Sequence, residues 1–100
     1  MSDEYIETPK IGEILKEEFL EPLGITAYRL SKEINVSTSS ILDIIHNKRK
    51  ISVEMALRLS KFFGTSYKFW LNLQNEIDVR ELTVKLDFDL KKIHVFNQSA

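Results

Sequence analysis

The chain has 100 residues, no cysteine and 43% hydrophobic side chains, which fits one domain with a real core and argues against a disordered polar segment. Disulfides and thiolate metal sites are excluded, no stretch approaches the roughly 18 uninterrupted apolar residues of a membrane span, and the acidic start lacks an apolar leader, so a soluble cytoplasmic protein is expected. The net charge of −1 hides a pattern: residues 1–25 carry −5, residues 26–68 carry +5 and residues 69–100 carry −1, a basic middle between acidic flanks that suits a nucleic-acid-facing patch.

Residues 1–9 lack periodicity, end in Thr8-Pro9 and are expected to form a flexible arm. A first helix is expected over about Ile11–Leu20, with Ile14, Leu15 and Phe19 at helical spacing and Glu13, Lys16, Glu17 and Glu18 facing out, stopped by Pro22 and Gly24. Thr26 fits the N-cap of a second helix, about Ala27–Ile34, followed by Asn35, which tolerates the left-handed backbone of a helix end. Ser37 caps a third helix, about Thr38–His46, which turns Ile41, Ile44 and Ile45 inward, and Asn47 again fits a left-handed C-terminal position. The run Lys48-Arg49-Lys50 reads as a loop. Ser52 caps a fourth helix carrying Met55, Ala56, Leu59 and Phe63 on one face; Gly64 ends it, and Ser66 opens a fifth running through Phe69, Trp70, Leu73 and Ile77. In the tail, Leu82, Val84, Leu86, Phe88 and Leu90 alternate with polar residues as in a strand, yet no turn residue separates them from the fifth helix. Helix and strand both fit, and an unpaired strand this apolar would seek a second copy or another protein. The expected organisation is thus an arm (1–9), a helical domain (10–80) and a C-terminal extension (81–100).

The second and third helices meet the demands of a helix-turn-helix, placed at residues 27–46. Two short helices must lock at a steep angle so that the second can enter a major groove. Leu30 and the small Ser31 suit the contact between them, Ile34 precedes a turn that Asn35 can make, Val36 plugs the corner, and Ile41 and Ile44 anchor the second helix. A plain helical hairpin would pack similarly, but it would not require the compact hydroxyls Thr38-Ser39-Ser40 on the outer face. Thr38 and Ser39, with Asp43 as a further candidate, are expected to face base edges; Ser37, His46, Asn47, Lys48 and Arg49 are expected to grip phosphates, which set register and supply affinity. No long bidentate side chain sits on the reading face, so specificity should rest partly on DNA shape and a single module should bind modestly. A dimer would compensate by reading two half-sites roughly 34 Å apart.

Three stretches carry a resemblance: Gly12-Glu13-Ile14-Leu15-Lys16-Glu17-Glu18-Phe19-Leu20-Glu21-Pro22-Leu23-Gly24, then Ala56 to Ser66, then Phe69-Trp70-Leu71-Asn72-Leu73-Gln74. Together they resemble the HigA-type antitoxins, also called VapI or plasmid-maintenance antidote proteins, over about residues 9 to 80. The resemblance implies an all-α, five-helix fold of the Xre and lambda-repressor type and a homodimer. It also implies a bacterial type II toxin–antitoxin pair, in which such a protein neutralises a HigB toxin, a RelE-like ribonuclease that cuts messenger RNA, and represses its own operon. The family often has arginine or threonine where Ser40 stands, which implies a different base preference. Its loop often reads Asn-Gly-Lys-Arg-Gly where this chain has His46-Asn47-Lys48-Arg49-Lys50. Lys50 should add phosphate grip, at a backbone cost if that position needs a positive φ. Lys91-Lys92-Ile93 is similar to the family's helical ending and tips the tail toward helix.

Catalysis is not expected: His46 and His94 lie far apart, the hydroxyls of Ser37 to Ser40 have no candidate base, and no metal or cofactor motif accompanies them. Trp70, Phe69 and Phe62, at helical spacing, read as core rather than as a ligand pocket. Besides the antitoxin, two other roles fit: a stand-alone repressor, and a protein-interaction module whose acidic first helix docks a basic partner. Glu13, Glu17 and Glu18 are the candidate toxin-facing residues, since such toxins tend to be basic.

Overall fold

The computed structural model describes residues 9–96, and the described chain is helical from end to end, without a strand. Helix α1 spans residues 11–23, α2 is Ala27–Ile34, α3 is Thr38–Ile45, α4 is Val53–Phe63, α5 is Tyr67–Lys85 and α6 is Asp87–Lys91. The expected arm, apart from Pro9, lies outside the described residues.

The helix starts follow from single side chains. Thr26, Ser37, Ser52 and Ser66 each sit in extended backbone and accept a hydrogen bond from the N–H three residues on, satisfying an amide that the helix itself leaves open. The helix ends are equally local. Gly24 and Gly64 take positive φ, as do Asn35 (φ 60°) and Asn47 (φ 61°). Lys50 does not, so the backbone cost expected there is absent.

Helix α1 departs from expectation. It runs three residues past Leu20, through Pro22, and its middle, Leu15–Leu20, is wound as a π-helix between the α-helical turns Ile11–Ile14 and Glu21–Leu23. Proline lacks an N–H and its ring would crowd the carbonyl four residues back in an α-helix. The wider register, in which the Glu21 N–H reaches the carbonyl of Lys16, accommodates it, and the stop falls to left-handed Gly24 instead.

The core is one cluster drawn from all five long helices, with Leu15, Leu30, Ile41, Ile44, Leu59 and Trp70 fully buried. Trp70 donates its indole N–H to Thr65 Oγ1 at 2.8 Å, and its ring lies 4.7 Å from that of Phe19 and 5.9 Å from that of Phe63. The expectation that Phe62 and Phe69 join it in the core needs correction: both remain exposed at the rim, Phe69 edge-on to Trp70. The tightest approach is between α1 and α3. Gly12 is buried with its Cα against the carbonyl oxygens of Ile44 and Ile45, where any Cβ would collide with backbone.

In the tail the helical reading holds and the strand does not. Helix α5 continues without a break to Lys85, and the Leu86 N–H still bonds to the Leu82 carbonyl at 2.7 Å. Alternation of apolar and polar residues favours a strand only where a neighbouring strand can take up the backbone groups, and the described residues offer none.

Candidate nucleic-acid interface

The reading unit is built on a small polar joint. Ser31 is buried between α2 and α3, its hydroxyl donating to the Tyr28 carbonyl at 2.7 Å. With that hydrogen committed, Thr38 Oγ1, 2.9 Å away, must act as the donor to Ser31 Oγ. Between the helices, Asn35 turns left-handed, the Val36 N–H reaches back to the Ser31 carbonyl at 3.0 Å, and Val36 packs half-buried against the core. Arg58, from α4, seals the end of α2 by donating to the Ile34 carbonyl at 2.8 Å while its Nε meets Glu54 at 3.0 Å. Together these bonds fix the angle at which α3 leaves the domain.

The start of α3 carries a knot of hydroxyls. Ser37 Oγ accepts from the Ser40 N–H at 3.1 Å and lies 2.8 Å from Ser40 Oγ and 3.2 Å from Ser39 Oγ. Arg49 folds back from the following loop to donate to Ser40 Oγ at 3.2 Å and to stand 3.9 Å from Asp43. A cation thus lies along the outer side of the helix, beside amides and hydroxyls that can all contact an anionic backbone.

Not every candidate side chain points that way. Ser37, Ser39, Ser40, Asp43 and Arg49 come together, and His46 and Lys48 are exposed at the end of α3. Thr38 is half-buried, with its hydroxyl given to the joint. Asn47 Oδ1 accepts the Gly12 N–H at 2.9 Å, tying the first amide turn of α1 to the end of α3. Lys50 turns toward α5 and pairs with Asp78 at 3.3 Å. Lys10, which sequence reasoning did not single out, joins Lys48, Arg49 and Lys50 around a cleft of about 310 Å³ and pairs with Glu81 at 3.6 Å. Gln74 was missed too: buried on α5, it accepts the Ile51 N–H at 2.9 Å and so holds the basic loop against the domain. Nothing local in the sequence marks either interaction, because the partners lie tens of residues away.

On α1, Glu13, Glu17 and Glu18 are all exposed, with Lys16 as the sole cation of that surface. No group of side chains among the described residues could hold a metal ion, and none of the described helices is long and apolar enough to cross a membrane.

A helix-turn-helix family model matches residues 16–70. An uncharacterized HTH-type transcriptional regulator of Haemophilus influenzae is 44% identical over 72 residues, which cover 72% of this chain and 67% of that protein. For two other curated relatives the shared part is 64% and 63% of their length, so the chain spans somewhat under two thirds of them. Among solved structures, the Pseudomonas aeruginosa antitoxin HigA with the higBA promoter superposes with a TM-score of 0.83 at 32% identity, covering 89% of this chain and 97% of that one. An addiction module antidote protein of the HigA family from Coxiella burnetii does so at 0.83 and 34% identity, covering 92% and 100%. With its capped, left-handed turn and the buried Ser31–Thr38 joint, the chain belongs to the helix-turn-helix family, in the group that includes the HigA antitoxins.

Proposed function

We propose that this protein is the antitoxin of a type II toxin–antitoxin pair: as a homodimer it binds operator DNA through α3 and represses its own operon, and it neutralises a HigB-like, RelE-type messenger-RNA-cleaving toxin. The observation that carries the DNA half is the outer side of α3, where the Ser37–Ser39–Ser40 hydroxyls, the opening amides and Arg49 converge beside exposed Lys48. Likeness to a HigA with its promoter supports the same half. Ser39 and Asp43 are assigned to base edges, and Ser37, Ser40, His46, Lys48 and Arg49 to phosphates. Asn47 and Lys50 stand at the edge of that surface, and Thr38 sets its angle. The toxin half is supported by the relatives' names and by the acidic, exposed α1 with Glu13, Glu17 and Glu18, a surface suited to a basic partner.

A stand-alone repressor is the second reading, favoured by the relative from Haemophilus influenzae that is described only as a transcriptional regulator. Purifying the tagged chain from its own locus, with both neighbouring genes present, separates the two. A small basic protein at fixed stoichiometry is expected, and its binding should fail when Glu17 and Glu18 are reversed to lysine. A chain that comes out with no protein partner belongs to the repressor. For the DNA half, Lys48→Ala with Arg49→Ala should flatten the log–log salt dependence of operator binding by about 1.8, at about 0.9 for each phosphate no longer neutralised. An unchanged slope would take DNA away from this face.

A further inference from the structure

Past Ile77 the chain stops packing on itself. From Val79 to Phe96 every residue is exposed, and half of those eighteen positions are large hydrophobics. Their arrangement is ordered. At about 100° per helical residue, Val79, Leu82, Leu86 and Leu90 fall within one narrow stripe, and α-helical bonds from Leu86 to Leu82 (2.7 Å) and from Leu90 to Leu86 (2.8 Å) carry that register across the α5–α6 junction. Val84 and Phe88 lie on the opposite side, in the same row as Trp70, Gln74 and Ile77, which face the domain core. The core-facing row of α5 therefore runs on beyond the core, leaving Val84 79% and Phe88 72% exposed. A helix apolar on two opposite sides is one that is enclosed by something.

We propose that residues 79–96 form a self-complementary arm that pairs with the arm of a second copy of this chain. The area is sufficient: with Ile93, Val95 and Phe96, these side chains expose on the order of 1,000 Å² of apolar surface, against about 800 Å² per partner in a standard interface. Apolar patches beyond a few hundred Å² are rare on surfaces that stay in water. The charge points to a second copy rather than to a basic toxin. Four cations balance three carboxylates on the arm, and Asp87 and Lys91 neutralise each other at 3.0 Å, whereas the uncompensated acid lies on α1 at the other end of the sequence. A surface that is apolar, long and near neutral suits an isologous contact, in which each copy offers what the other needs. The inference rests on the DNA-binding dimer proposed above for its consequence, the spacing of two reading helices, and not for its observation.

The test begins without DNA. In sedimentation equilibrium at about 10 µM the full chain should run at twice its 11.7 kDa mass. The Leu82→Glu/Leu86→Glu variant should run as a monomer with an unchanged helical circular-dichroism spectrum, because both side chains are exposed and leave the core intact. The Leu82→Lys/Leu86→Lys variant should do the same. Mixing the two should restore the double mass, a rescue that simple loss of structure cannot give. A wild-type monomer, or a glutamate variant that remains a dimer, would overturn the proposal, the first because the arm would then be free for a different partner. With DNA, the monomeric variant should keep its affinity for a half-site within about twofold and lose about 100-fold on a two-half-site operator, the gain expected from linking two modules. Loss of half-site binding along with operator binding would place the stripe in the DNA contact and overturn it as well. A wild-type dimer that binds no DNA at all would leave the arm pairing standing and remove the DNA reading alone.

Discussion

Trp70 and Phe88 stand eighteen residues apart in the same row of one helical stretch, and they meet opposite fates. Trp70 is wholly enclosed, with Phe19 and Phe63 against its ring and Thr65 on its indole N–H, whereas Phe88 is 72% exposed and touched mainly by the Lys92 ammonium 4.3 Å above it. The difference lies in what surrounds each position rather than in residue type: four other helices close over the first part of α5, and none reaches past Ile77. Apolar periodicity reports that a face wants to be covered; it does not report by what.

The sharpest way to break that contrast is to truncate both aromatics. Trp70→Ala should cost about 3–5 kcal/mol, the usual range for emptying an aromatic site in a core, and in urea the chain should approach the limit of stability for a domain this small. Phe88→Ala, measured at a dilution where the chain is monomeric, should shift the midpoint by less than about 0.5 kcal/mol, as exposed substitutions do. At higher concentration the Phe88 variant should fall behind wild type, since pairing adds stability by mass action. Equal losses for the two at low concentration would mean that the arm packs on its own domain.

Much of the domain was legible in the sequence, for a physical reason. Caps and left-handed ends are decided within three or four residues, so Thr26, Ser37, Ser52 and Ser66, Asn35 and Asn47, and Gly24 and Gly64 announce themselves. What escaped is decided at a distance. Asn47 could be read as a turn former, but not as the acceptor for the Gly12 amide thirty-five positions earlier; Thr38 could be placed on α3, but its turn toward buried Ser31 depends on the crossing of two helices. The π-helical middle of α1 reflects how Pro22 is absorbed, and periodicity alone treats that proline as a stop. The candidate site was thus legible as a segment and less so as a set of directions.

Gly12 offers a second, smaller contrast between domain and arm. Gly12→Ala adds one methyl where the backbones of α1 and α3 touch, with carbonyl oxygens rather than yielding side chains in the way. The helices must part, and a loss of about 2–3 kcal/mol is expected, lowering the melting temperature by roughly 10–20 °C in a calorimetric scan. Because Asn47 hangs on the Gly12 amide, the same change should loosen the end of the reading helix and weaken operator binding even where the chain is still folded. Val84→Ile, which adds the same methyl on the arm, should leave the melting temperature of the monomer unchanged. A silent Gly12→Ala would show that the two helices have slack the geometry does not reveal.

The smallest effect should fall on the surface that does the reading, and its sign is the informative part. Asp43 is a carboxylate on the outer side of α3, 3.9 Å from Arg49, in a position that approaching phosphates must pass. In water one unit charge at about 4 Å is worth about 1 kcal/mol, so Asp43→Asn should raise affinity for random-sequence DNA by about fivefold, both by removing repulsion and by releasing Arg49 for phosphate. If Asp43 also accepts a hydrogen bond from a base amino group, affinity for the operator should rise less or fall, and the ratio of specific to nonspecific binding should shrink. The gain on random DNA should fade as salt rises and screening sets in. Asp89→Asn, the same change on the arm, should do none of this. Competition titrations against random-sequence DNA at two salt concentrations read both constants. A carboxylate that costs affinity while sharpening choice would explain why a basic reading face keeps an acid on it; an Asp43→Asn chain that binds random DNA no better would mean that phosphates never come near that side of α3.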